Sequence, residues 1–131
     1  MANLPDQAKE ILNKKTFAHV ATLMPDGSPQ VTPVWVDVDG DDIVINSAEG
    51  RVKPNNVRRD ERVALSATDP DNAYRNVVVR GRVKEVTNDG ADDVIDALAK
   101  KYLDADEYPF RQPGEQRVTI RIEPEQVSVG G

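Results

Sequence analysis

Ile43-Val44-Ile45-Asn46-Ser47-Ala48-Glu49-Gly50-Arg51-Val52-Lys53-Pro54-Asn55-Asn56 changes character at its middle. The first half is a β-branched run suited to a buried strand. The second half opens a short helix, with Gly50 at the bend and Pro54 tolerated only in a first helical turn. A strand running directly into a helix leaves the first-turn N–H groups unpaired and aims the positive end of the helix dipole into the same space. Arg51 and Lys53 add two full positive charges there. Cations are disfavoured at that end unless an anion answers them, so the junction is expected to be an anion site. The plainer alternative is a pair of basic side chains solvating a helix start.

Working outward toward the N-terminus, Asp39-Gly40-Asp41 is a turn that leads into the strand Asp42 to Ser47. Before it, Phe17 to Met24 and Gln30 to Val38 read as strands joined by the turn Pro25-Asp26-Gly27-Ser28, so three strands are expected to form an antiparallel meander. Leu4, Ala8, Ile11 and Leu12 fall on one face of a short helix over Leu4 to Lys15. On the other side of the junction, Arg62 to Ala67 is a strand, Asp69-Pro70-Asp71-Asn72 a solvent-facing loop, and Asn76 to Val86 a long strand with a basic face at Arg80, Arg82 and Lys84. Gly81 inside that strand marks a bulge or a close backbone approach. Ala91, Val94, Ile95, Leu98, Ala99 and Tyr102 make an amphipathic helix, and Thr87-Asn88-Asp89 precedes it as a cap. Asp104 to Gly114 is a loop, Arg117 to Ile122 a final strand, and Gln126 to Val129 a possible short one. Six or seven strands with closely spaced turns and two or three helices predict a mainly β protein, an antiparallel barrel closed or nearly closed, with flanking helices.

The 131 residues fit one domain, 1–131, with a net charge of -6, one histidine and no cysteine. Such a balance disfavours nucleic acid, which needs a basic face, and the composition excludes thiolate nucleophiles and sulfur-built zinc sites; no metal is expected. No apolar run reaches the ~18 to 20 residues of a membrane span. Met1 to Gln7 lacks the basic start and apolar core of an export signal, so the cytoplasm is the expected location and no membrane partner is expected.

Gln30-Val31-Thr32-Pro33-Val34-Trp35 places a proline inside a strand, which frees backbone groups beside the Thr32 hydroxyl and the chain's one tryptophan. That arrangement suits the edge of a planar heteroaromatic ring; an edge strand with a core tryptophan accounts for it equally. His19 reads as structural, because no second histidine or Ser-His-Asp context accompanies it. Asp92 and Asp93 read as solvated charges at a helix start. Arg75 is either a surface arginine or one that reaches an anionic ligand across a subunit boundary, and Arg117 has the same two readings. No nucleophile stands out.

His19-Val20-Ala21-Thr22, the run from Pro25 to Trp35, Gly50-Arg51-Val52-Lys53 with Asn56, and Gly81-Arg82-Val83 together resemble the split β-barrel flavin-binding superfamily that includes pyridoxamine 5'-phosphate oxidase. The resemblance covers nearly the whole chain. It is more closely similar to small actinobacterial-type members that use the deazaflavin coenzyme F420, whose Lys101-Tyr102-Leu103 to Tyr108-Pro109 segment it shares. The resemblance implies a six- to seven-stranded split β-barrel and a homodimer with cofactor sites at the subunit interface. It implies that Thr32, Pro33, Val34 and Trp35 line the cofactor ring, and that Ser47, Arg51, Lys53 and Asn56 hold the phosphate and ribityl part. Arg75, Asn76 and Arg117 are implied to reach over from the partner subunit or to meet the cofactor's acidic tail.

The implied activity is hydride transfer from reduced F420 to an unsaturated small-molecule substrate such as a tetrapyrrole, quinone or enone. The alternatives are an FMN-binding oxidoreductase of the same fold and a non-catalytic cofactor carrier or sensor. The chain departs from the vitamin oxidases in lacking a second basic set for a substrate phosphate and a C-terminal Trp and Arg-Leu region.

Overall fold

The computed structural model describes residues 3–130. Met1, Ala2 and Gly131, at the ends of the single-domain reading and of the stretch expected to carry no export signal, lie outside the described residues. The elements in chain order are α1 (Asp6–Asn13), β1 (Ala18–Leu23), β2 (Pro29–Val34), β3 (Asp37–Asp39), β4 (Asp42–Ala48), α2 (Val52–Arg59), β5 (Arg62–Asp69), β6 (Asn72–Thr87), α3 (Ala91–Leu103) and β7 (Arg117–Gly130).

All seven strands form one antiparallel sheet in the order β2-β1-β5-β6-β7-β4-β3. This corrects the expected three-strand meander. The run from Gln30 to Val38 is two strands, and they lie at opposite ends of the sheet. Only Trp35 and Val36 separate them, so three residue steps, at most about 11 Å of chain, tie one sheet edge to the other. The sheet must therefore roll until its edges nearly meet, which makes a barrel that is split rather than closed. Pro33 is tolerated because β2 is an edge strand with β1 as its one neighbour.

The lumen is filled by alternate residues, among them Val20, Ile43, Ile45, Leu65, Val77, Val79, Ile120 and Ile122. Ala8, Ile11 and Leu12 of α1 are fully buried in the same cluster, as their spacing predicts. On β4 Val44 and Ala48, on the face turned from the lumen, are buried as well and Asn46 half-buried, because α3 covers that face. That double cover is why Ile43 to Ile45 reads as a continuous apolar run.

β6 and β7 are longer than the sequence predicts. β6 starts at Asn72, and the two strands expected near the C-terminus are a single β7. Gly81 is the reason such long strands can bend. The register shifts between Arg80 and Gly81, and a Cβ on Gly81 would lie 2.3 Å from the Glu123 carbonyl oxygen.

The loop expected to face solvent at residues 69–72 does so at Pro70, Asp71 and Asn72, while Asp69 at its start is buried and anchors it. Its carboxylate accepts from the Asp71 N–H (2.9 Å), Lys14 Nζ (3.0 Å) and Arg75 Nη1 (2.9 Å), tying the end of α1 to the β5–β6 turn. Those bonds, the Asp71 N–H foremost, hold the Asp69 carboxyl at about 2, below its ordinary 3.8. A carboxylate depressed in the folded state stabilises at pH above the ordinary value and loses that contribution as pH falls toward the folded one. Stability is thus expected to fall between pH 3.8 and about 2, and Asp69→Asn is expected to flatten that part of a pH series of thermal midpoints. An unchanged slope in the variant would remove Asp69 as its source.

Candidate functional site

Beside the split, a cleft of about 250 Å3 is lined by Phe17, Pro33, Val34, Trp35, Asn46, Arg51, Ile95, Leu98, Tyr108, Phe110 and Arg117. Its apolar wall is aromatic. Trp35 stacks on Tyr102 with ring centroids 5.2 Å apart, and Tyr108 meets Trp35 edge-on at 6.1 Å. Phe17 and Phe110 stand exposed at the mouth.

The crossing segment that carries Trp35 is held by the end of α3. Tyr102 Oη accepts from the Val36 N–H (3.0 Å) and donates to the Thr16 carbonyl (2.6 Å). Lys101 Nζ donates to the carbonyls of Leu12 (2.7 Å) and Val36 (2.6 Å). Both groups are half-buried, and burial pushes the Tyr102 hydroxyl up and the Lys101 ammonium down from their ordinary pKa values. Every polar backbone group of Val36 is therefore bonded, and the aromatic wall rests on a fixed segment.

The polar wall is built from Asn46 on β4, Arg117 on β7, Glu115 in the loop before β7 and Arg51 at the start of α2. The Arg117 side chain is only 3% exposed, donates to Glu115 Oε1 (3.0 Å) and Asn46 Oδ1 (2.9 Å), and lies over the Tyr108 ring at 5.0 Å. Glu115 Oε2 is also 3.8 Å from Arg51 Nη2. The loop from Asp104 to Gln116 is pinned to α3 by Arg111, which bonds Asp92 and Asp96 (both 2.6 Å), and by the Tyr108 N–H on Asp96 (2.9 Å). Asp92 is thus an anchor for this loop as well as a helix-start charge.

Gly50 takes φ +88°, and the chain turns there into α2 with Arg51 at the N-cap, no side-chain cap and no acidic residue in the first turn. Among the described residues Lys53 has no ion-pair or hydrogen-bond partner, and burial, with Arg51 nearby, pushes its ammonium pKa down. An unanswered, partly desolvated cation at an uncapped helix start is a place where an anion gains more than it would at an ordinary surface lysine.

The structure brings Pro33, Val34, Trp35, Arg51 and Arg117 into the cleft. Thr32 lies one step along β2, and its buried Oγ1 has no hydrogen-bond partner among the described residues. Ser47 is buried opposite Val118. Asn56 is engaged by the protein itself, donating to Thr22 Oγ1 (2.9 Å) and accepting from Arg59 (2.7 Å). Arg75 is held by Asp69 and by Glu10 (3.3 Å), and Asn76 sits opposite Thr68; neither lines this cleft. Residues not anticipated from the sequence are Asn46, Tyr108, Phe17, Phe110 and Glu115.

A larger cavity of about 420 Å3 lies among Arg58, Arg59, Arg62, Arg82 and Lys84. Arg58 faces Glu49, Arg62 faces Asp60, Arg82 faces Glu61 and Lys84 faces Asp42, so its charge is largely answered from within. The smaller aromatic cleft is the better candidate.

A family model described as pyridoxamine 5'-phosphate oxidase matches residues 4–129. Among solved structures, the chain is similar to an F420 reductase, with 31% identity, a TM-score of 0.83, and coverage of 95% of this chain and 98% of that one. It is also similar to a conserved hypothetical protein from Mycobacterium tuberculosis (22% identity, TM-score 0.75, coverage 99% and 86%). An FAD-binding protein from Mesorhizobium loti matches at 23% identity with a TM-score of 0.68 and coverage of 96% and 94%; these last two show the fold alone. No match was found among curated proteins. No helix among the described residues is long and apolar enough to cross a membrane.

Proposed function

Since the chain belongs to the pyridoxamine 5'-phosphate oxidase family, we propose that it is a cytoplasmic F420-dependent reductase of unsaturated organic compounds. The observation that carries the reading is Lys53, an unanswered cation beside Arg51 at an uncapped helix start, next to an aromatic cleft. The 31% identical F420 reductase supports the choice of a deazaflavin.

The residues fit such a group. Arg51 and Lys53 bind the phosphate, with the free N–H groups at the start of α2. The orphaned Thr32 hydroxyl and the unpaired side of β2 offer polar partners to the edge of a planar ring, and Pro33, Val34 and Trp35 pack against it. Ser47 and Asn56 support the ribityl end from beneath, Asn56 by fixing α2 on β1 through Thr22. Bound in its reduced form, F420 supplies a hydride from its C5 position to the acceptor. The protein orients the acceptor in the aromatic cleft and excludes water, and Arg117, stacked on Tyr108, presents a positive charge to an acidic group.

The same proposal makes the chain a homodimer. The outward face of β2, β1, β5 and β6 carries His19, Ala21, Val31, Ala64, Ser66 and Val78, small or apolar apart from the histidine, with Val31 61% exposed. Such a patch suits a second copy, and Asn76, on the same face, and Arg75 beside it would then meet the partner's site.

The test of function is oxidation of protein-bound, reduced F420 by a panel of quinones, enones and tetrapyrroles, followed by the return of the oxidised deazaflavin's absorbance. Turnover of at least one acceptor faster than in free solution is expected. A panel that leaves the bound cofactor reduced would favour a carrier instead.

A further inference from the structure

Lys101 sets a positive charge where no acidic group answers it. Its half-buried side chain bonds the carbonyls of Leu12 (2.7 Å) and Val36 (2.6 Å), and it has no carboxylate partner among the described residues. An uncharged side chain of similar length would pack there without the cost of desolvating an ammonium. What the charge does is join the ends of α1 and α3 to the crossing between β2 and β3. Leu12 lies in the last turn of α1, whose carbonyls lack intrahelical partners, and a cation suits that end of a helix dipole. Val36 lies in the crossing, and its neighbour Trp35 lines the cleft. Lys101 Nζ also lies over the Tyr102 ring at 5.0 Å, and that ring stacks on Trp35 at 5.2 Å. Lys101 thus reaches Trp35 by two routes, through the backbone of the next residue and through the stacked ring, without itself lining the cleft.

We infer that Lys101 is a positioning residue for hydride transfer, which pins the crossing to the ends of α1 and α3 and so fixes the plane of Trp35 against which a reacting ring packs. The inference rests on the reading of this cleft as the site of cofactor and acceptor. Affinity for the cofactor comes largely from Arg51 and Lys53, whereas alignment of hydride donor and acceptor depends on the aromatic wall. A wall that is free to shift therefore costs rate more than binding. A misplacement of about 1 Å lowers a rate by up to about 100-fold.

The test compares the unmodified protein with Lys101→Met, similar in length and uncharged, and with Lys101→Arg, which keeps a cation with several N–H donors. The tryptophan band of the near-UV circular dichroism is read on the ligand-free proteins, where Trp35 alone produces it. Thermal midpoint, F420 affinity by fluorescence titration, and kcat with the fastest acceptor of the panel complete the comparison. Lys101→Met is expected to lose most of the Trp35 band well below its thermal midpoint. Its kcat is expected to fall about ten- to 100-fold while F420 affinity changes less than about threefold. Lys101→Arg is expected to restore most of both. A purely structural lysine would lower the midpoint yet leave the band and kcat of the folded protein as they were, and that result would overturn the inference. A loss of F420 affinity as large as the loss of kcat, or an arginine variant no better than the methionine one, would overturn it too. Should Lys101→Met not fold, Lys101→Gln is read by the same measures. Absence of turnover by the unmodified protein would count against the proposed function, whereas an unchanged Trp35 band overturns the role of Lys101 alone, so the two failures are distinct.

Discussion

Lys53→Ala is expected to weaken F420 binding by about 1.5 to 3 kcal/mol, roughly ten- to 150-fold in Kd, without lowering the thermal midpoint of the ligand-free protein. Both halves of that expectation come from the same fact. Lys53 has no partner among the described residues and is partly desolvated, so the folded chain gains nothing from its charge. What it contributes is realised only when an anion arrives, as a charge-assisted hydrogen bond reinforced by Arg51 and the start of α2. A surface lysine would behave differently, since its loss would leave affinity within error. Unchanged F420 affinity in the variant would take Lys53 out of the site, and a collapse in stability would make it a structural residue.

Gly81→Ala is expected to destabilise the fold by about 3 kcal/mol, the upper end for overpacking, because nothing near it can yield. The added Cβ would lie 2.3 Å from the Glu123 carbonyl oxygen and 3.2 Å from Pro124 Cα, both backbone atoms of the paired strand. Relief requires β6 and β7 to separate at the bulge where they bend. The check is urea denaturation, where the midpoint should fall with little change in slope. A variant as stable as the parent would show that the bulge is free to re-register.

Local signals in the chain predict most of this architecture. Gly81 announces the bulge, Pro33 the edge strand, and the Leu4-Ala8-Ile11-Leu12 spacing the buried face of α1. The topology was less legible. Trp35 and Val36 look like the middle of a strand, and only the long-range pairing of β3 with β4 and β4 with β7 reveals them as the step across the split. Alternation fails at β4 because both of its faces are covered. A strand without a polar side gives no sign that Asn46, rather than its neighbour Ser47, faces the cleft. Tyr108 and Phe110 sit in an aperiodic loop whose position depends on Arg111 reaching Asp92 and Asp96, a contact that spacing does not encode. Glu115 reads as a turn residue until Arg117 and Arg51 are seen on either side of it. The proposed anion site was legible as a candidate because it is local, a strand, a glycine bend and a basic helix start in sequence order.

The most direct test of the central claim is fluorescence titration of the purified, unmodified protein with F420 and, separately, with FMN at the same protein concentration, with the oligomeric state followed by light scattering. Micromolar or tighter binding of F420 by a dimer, with FMN clearly weaker, is the predicted result. Tighter binding of FMN, or binding of neither, would contradict it.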